Sequence, residues 1–125
     1  MNYILDAHTV LWYFAQNNKL SAKADEIIDN PENTIYVCSA TLWEIAIKIA
    51  LGKLEASFDE ILEKLDISGF QVLQIESMFL RDLIDLPQIH KDPFDRLIIA
   101  TAKREDMTLI TADEIIPQYD VRCIW

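Results

Sequence analysis

Four acidic residues, Asp6, Glu44, Asp95 and Asp113, stand at positions where an α/β sheet would gather them. Asp6 ends the apolar run Tyr3-Ile4-Leu5, and Asp113 closes Thr108-Leu109-Ile110-Thr111. Glu44 and Asp95 lie just inside the starts of two helix-like segments. Carboxylates at close range repel one another, so without a cation some would be protonated or the site would splay. Oxygen ligands of this kind are what hard cations such as Mg²⁺ and Mn²⁺ prefer. Two such ions about 4 Å apart can activate water and stabilise the leaving oxygen of a phosphodiester, with no strong nucleophile from the protein.

Each acid also has an ordinary structural explanation. Thr41-x-x-Glu44 is a capping box, and Glu44 can pair with Lys48 at i,i+4. Asp92 before Pro93 makes a good N-cap, with Asp95 as a helix-start acid. Such features stabilise a helix by about 0.3–2 kcal/mol each. Asp113 could form an Asx turn near Thr111. Asp6 resists such an explanation, because it lies between two apolar runs, and burying a charge without a partner is costly. Glu76, Asp59 and Glu60 begin helices near the same edge but have more polar surroundings, and are read as solvated.

The elements that must position these residues alternate along the chain. Residues 2–6 read as a short buried strand, and 9–16 as an apolar helix with Thr9 as its N-cap. Ser21 opens a second helix that ends before Pro31, and 34–38 is a strand rich in β-branched and aromatic residues. A helix over 41–51 is stopped by Gly52, and another spans 58–66. Strand 70–75, helix 77–86, a helix from Asp92-Pro93 to about 104, and strands 108–111 and 120–124 complete the chain. This alternation predicts a parallel sheet flanked by helices. Strand C-termini and helix N-termini then share one edge, where ligand crevices form, so all four acids fall on that edge.

Composition narrows the classes. The 125 residues suit one domain, 1–125, able to bury roughly 65–70% of its unfolded surface. With 51% hydrophobic residues the chain is not disordered, and no apolar run is long enough to span a membrane. The N-terminus has no signal-peptide pattern, so the cytoplasm is the expected location. Only Gly52 and Gly69 are available, too few for a G-x-G-x-x-G fingerprint or a Walker A loop. Cys38 and Cys123 lie in strand-like runs without a CxxC and read as buried free thiols. The net charge of −10 opposes simple electrostatic binding of nucleic acid, although bound metals would reverse the local sign.

Taken together, the segments resemble the PIN-domain ribonucleases, and among them the VapC-like toxins of type II toxin–antitoxin pairs. The matching segments are Tyr3-Ile-Leu-Asp6-Ala-His8-Thr-Val-Leu-Trp12, Ser39-Ala-Thr-Leu-Trp43-Glu44-Ile-Ala-Ile-Lys48, Leu86-Pro87-Gln-Ile-His90-Lys-Asp92-Pro93-Phe94-Asp95-Arg96-Leu-Ile-Ile-Ala-Thr-Ala102 and Leu109-Ile-Thr111-Ala-Asp113. They run in family order from end to end. Ala7 and Ile116 depart from the usual pattern, where a hydroxyl residue and an aromatic are common, but neither is an acid. The resemblance implies a three-layer α/β/α sandwich with a central parallel sheet of strand order 3-2-1-4-5. It implies that Asp6, Glu44, Asp95 and Asp113 are the catalytic, metal-binding acids for Mg²⁺ or Mn²⁺. Asp92 is either a fifth ligand or only a helix cap. Thr9 and Thr111 would support a carboxylate or a bound water, and His8, His90, Lys48 and Arg96 would orient acids or meet substrate phosphate. Lys48, Lys53, Lys91 and Arg96 are candidates for a basic rim.

The implied activity is endoribonuclease hydrolysis by metal-activated water, attacking phosphorus in line and leaving 5′-phosphate and 3′-hydroxyl ends. The implied partners are an RNA substrate, a cognate antitoxin whose C-terminal segment fills the active-site groove, and a second copy in a homodimer. The alternative from another class is a non-catalytic interaction module that keeps the fold and the acids. A haloacid-dehalogenase-like phosphatase would need an Asp two residues after Asp6, where His8 stands. A phosphoacceptor receiver would need paired acids ahead of its acceptor, which the first residues cannot supply.

Overall fold

The computed structural model describes residues 1–125. The chain runs β1 (Asn2–Leu5), α1 (Ala7–Phe14), α2 (Ala22–Asp29), β2 (Thr34–Cys38), α3 (Ser39–Ala50), α4 (Phe58–Ile67), β3 (Gln71–Leu73), α5 (Ser77–Ile84), α6 (Pro93–Arg104), β4 (Thr108–Ile110), a 3-10 turn (Ile116–Gln118) and β5 (Cys123–Ile124). The five strands form one sheet in the order β3-β2-β1-β4-β5, and every pairing is parallel. The strand order is the one the resemblance implied.

The pleat sorts each strand's side chains to opposite faces. Tyr3, Leu5, Ile35, Val37 and Ile110 enter one apolar core, together with residues of α1, α2, α3 and α4. Ile4, Cys38 and Leu109 enter a second core with Phe79 of α5 and Leu97, Ile98 and Ile99 of α6. Two cores on one sheet make three layers, and they leave the C-terminal strand edge for polar groups. No helix is long and apolar enough to cross a membrane. Both cysteines are free, Cys38 buried and Cys123 partly so. Burial pushes both thiols above their usual range.

Several boundaries differ from the sequence reading. The first helix begins two residues early and is capped by Asp6, not by Thr9. Asp6 accepts from the Thr9 backbone N–H at 2.9 Å, and so satisfies a free donor of the first turn. The capping box at Thr41 does not form, because α3 begins at Ser39 directly after β2 and Cys38 occupies the cap without a side-chain bond. The strands read at 70–75 and 120–124 shrink to Gln71–Leu73 and Cys123–Ile124. These two are the sheet edges, paired on one side only. Gly52 does end α3: with φ of 71° it takes the left-handed conformation. Its N–H donates to Ile49 O at 3.1 Å and the Lys53 N–H to Lys48 O at 2.9 Å, a Schellman closure.

Candidate metal centre

Asp6 is placed by two elements at once, as the residue after β1 and the cap of α1. It is 6% exposed. Its Oδ1 accepts from the Thr9 backbone N–H and from the Thr9 hydroxyl at 2.6 Å, and its Oδ2 accepts from the Thr111 hydroxyl. Thr9 shares its proton with Ile110 O at 3.0 Å, which ties the carboxylate to the end of β4. All three donors leave Asp6 as an acceptor held in one orientation.

Asp113 follows β4 on the same edge. The Thr111 hydroxyl accepts from the Asp113 N–H at 3.0 Å, so one threonine links two of the acids. Asp113 Oδ1 accepts from the Ile115 N–H at 2.7 Å, an Asx turn as foreseen. Its Oδ2 lies 2.9 Å from His90 Nε2. Burial alone would raise this carboxyl, but the His90 hydrogen bond and the N–H groups of Ile115 and Ile116 outweigh it and hold it low.

Asp95 sits in the first turn of α6, with Oδ2 3.2 Å from His90 Nε2. Burial, then the charges of Asp92, Asp6 and Glu44, push its carboxyl up to about 7, against an opposing pull from His90. One side-chain nitrogen of His90 and one carboxylate oxygen each of Asp95 and Asp113 lie within 4.8 Å of one another. Glu44, in the second turn of α3, is 7% exposed. Its Oε2 pairs with Lys48 Nζ at 2.9 Å, while its Oε1 is buried without a partner. An orphaned buried carboxylate oxygen beside an oxygen-rich, electrostatically strained cluster is what a cation would relieve. The residues therefore fit a hard divalent ion.

The remaining residues divide. Asp92 caps α6, its Oδ1 accepting from Phe94 N–H at 2.8 Å and Asp95 N–H at 3.1 Å. Lys48 is about one-third exposed and committed to Glu44. Lys53 and Lys91 are exposed. Arg96 departs from the expected basic rim: it is buried, and its guanidinium donates to Pro87 O at 2.7 Å and Tyr119 Oη at 3.2 Å. Helical spacing turns it from Asp95 towards α5 and the loop that follows it. His8 stacks on Trp12 with ring centroids 5.3 Å apart. Both line a cavity of about 600 Å³ with Lys48, Lys53 and Lys64.

Sequence reading missed Tyr119, whose contacts are made 23 to 30 residues away in the chain. It also passed over the Trp43–Phe94 pair, with centroids 5.2 Å apart. Each of these aromatics directly precedes one of the acids, Glu44 and Asp95, which was a visible signal.

The model of the PIN domain family matches residues 3–122. No curated protein matches the chain. Among solved structures, VapBC2 from Rickettsia felis, bound to a DNA fragment from their promoter, is similar with a TM-score of 0.73 and 19% identity over 99% of this chain and 98% of that one. FitAcB from Neisseria gonorrhoeae has a TM-score of 0.69 and 20% identity, over 98% and 96%. VapBC-1 from nontypeable Haemophilus influenzae has a TM-score of 0.68 and 18% identity, over 99% and 97%. At these identities the likeness is one of fold. With the family model spanning nearly the whole chain and the strand order agreeing, this chain belongs to the PIN domain family.

Proposed function

We propose that this protein is a Mg²⁺- or Mn²⁺-dependent endoribonuclease, the VapC-like toxin of a toxin–antitoxin pair, acting in the cytoplasm as a homodimer. One observation supports the reading above others: Asp95 is crowded by the charges of Asp92, Asp6 and Glu44 and joined through His90 to Asp113, beside an unpartnered Glu44 Oε1, a setting that a cation would relieve. The end-to-end likeness to VapBC2 and VapBC-1 supports the toxin assignment.

The four acids would hold the ion, with Asp92 as the cap behind them. When bound, the cation supplies a water made acidic enough to attack phosphorus and a counter-charge for the leaving oxygen. Everything else falls to the chain. Thr9 and Thr111 fix both oxygens of Asp6. His90 steadies Asp95 and Asp113. Asp95, its carboxyl pushed up to about 7, loses its proton near neutral pH and offers a cation a charged oxygen there. Lys48 balances Glu44 and, with Lys53, lines the cavity beside His8 and Trp12 where an RNA backbone would meet positive charge. The antitoxin would be the partner that silences the site.

Induced expression of the wild type and of Asp95→Asn tests this reading. The wild type should arrest growth and Asp95→Asn should not, and co-expression of a short upstream open reading frame should relieve the arrest. No arrest by the free wild type, or equal arrest by both, would favour a non-catalytic module.

A further inference from the structure

The segment from Pro87 to Asp92, between α5 and α6, carries His90 but has no strand or helix of its own. Backbone donors that lack a ladder partner must bond elsewhere. Here one of them, the His90 N–H, meets a phenol: Tyr119 Oη accepts it at 2.7 Å, and also accepts at 3.2 Å from the Ile89 N–H, which is shared with Pro87 O at 3.0 Å. Tyr119 is 4% exposed. Arg96 closes the arrangement from the other side. Its Nη1 donates to Pro87 O at 2.7 Å and to Tyr119 Oη at 3.2 Å, and its Nη2 reaches Leu83 O at 3.5 Å. Arg96 is 8% exposed, and its partners are carbonyls and a phenol, not a carboxylate. A buried cation without a counter-ion is a costly way to fill space. What it gives here is direction, since a planar guanidinium fixes several acceptors at once.

The imidazole itself is oriented by a third backbone group. The Asp92 N–H donates to His90 Nδ1 at 3.1 Å. That bond occupies the Nδ1 lone pair, so the neutral ring carries its proton on Nε2. The Nε2–H then faces Oδ2 of Asp113 at 2.9 Å and of Asp95 at 3.2 Å. A metal ligand would need a lone pair at Nε2, so His90 serves as a donor to the acids and not as a ligand beside them. The connections form a circuit: Tyr119 lies six residues after Asp113, holds the His90 backbone, and His90 returns to the Asp113 carboxylate.

We propose that Tyr119 is a positioning residue of the metal centre, acting through His90, with Arg96 clamping the loop between them. The inference rests on the metal-dependent reading above. Groups that orient metal ligands from behind typically change affinity about 10- to 100-fold when removed.

Mn²⁺ alone is the probe, with free Mn²⁺ followed by electron paramagnetic resonance during titration of the purified chain. Tyr119→Phe keeps the buried ring and removes only the oxygen. It should weaken Mn²⁺ binding about 10- to 100-fold while far-UV dichroism and cooperative unfolding are retained. His90→Ala should weaken binding to a similar degree, and His90→Gln, whose side-chain amide can donate from an equivalent position, should recover most of the loss. The double variant Tyr119→Phe/His90→Ala should bind no worse than His90→Ala, since both act on the same contact. A purely structural tyrosine would lower thermal stability without altering the affinity of the folded protein, or would add its loss to that of His90→Ala. Either result overturns the proposal. If Tyr119→Phe does not fold, the His90 variants decide, and wild-type affinity in His90→Ala overturns it. Unaffected variants of a Mn²⁺-binding wild type sink this inference alone. A wild type that binds no Mn²⁺ sinks the metal-dependent reading with it.

Discussion

Burial and the charges of Asp92, Asp6 and Glu44 hold the Asp95 carboxyl near 7, well above its value of about 3.9 in an unfolded chain. The native state therefore keeps a proton that the unfolded state has lost across that window. The associated stability is full below pH about 4 and disappears as pH rises through about 7, amounting to roughly 4 kcal/mol at most. Urea unfolding in chelator should show the protein less stable at pH 8 than at pH 5. Asp95→Asn should flatten that dependence and raise stability at pH 8, and a wild-type curve already flat from pH 5 to 8 would contradict the assignment. Asp113 works in the opposite sense. Its carboxyl is held low chiefly by His90 against the pull of burial, so its contribution is present above pH about 4 and lost on further acidification. Protons and cations compete for Asp95, so Mn²⁺ affinity should strengthen as pH rises through 7.

Caps and stops give the elements their own tests. Asp92 Oδ1 receives two first-turn N–H groups of α6, so Asp92→Ala should cost about 1 kcal/mol by denaturant midpoint, and Asp92→Asn a few tenths at most. Loss of Mn²⁺ binding in the stable Asp92→Asn variant would instead make Asp92 a ligand. Gly52→Ala, which forces a side chain to φ of 71°, should destabilise by about 1 kcal/mol although nothing crowds the position. The elements themselves were legible because their patterns are local: β-branched and aromatic residues over 34–38, Pro93 behind an Asp, Gly52 behind an apolar helix. Helix starts were harder. At Asp6 the acid singled out for chemistry is itself the cap, and at Cys38 the sheet end fixes the start without any side-chain signal. Arg96 was misread because its sequence neighbour is Asp95, whereas its guanidinium finds carbonyls on α5 and the following loop. Tyr119 left no trace in the sequence, since its role lies wholly in contacts across the fold.

At the scale of the molecule, the proposed function sets a net charge of −10 against a polyanionic substrate. Among the acids only Glu44 pairs with a lysine, Lys48, and Arg96 is buried against carbonyls and a phenol. Binding of a short single-stranded RNA should then weaken only gently with salt, with a log–log slope of about −1 to −2. A steep slope would place the main contact elsewhere on the surface. Sedimentation of the purified protein should give a dimer, and a monomer at micromolar concentration would contradict that part of the proposal. The most direct test is cleavage of a defined RNA panel by antitoxin-free protein in Mn²⁺, comparing the wild type with Asp95→Asn and identifying the ends formed. The wild type should cut only with the metal present, leaving 5′-phosphate and 3′-hydroxyl ends, and Asp95→Asn should be slower by at least about 100-fold. Cleavage that survives chelation, or equal rates from the two proteins, would contradict a metal centre built on these four acids.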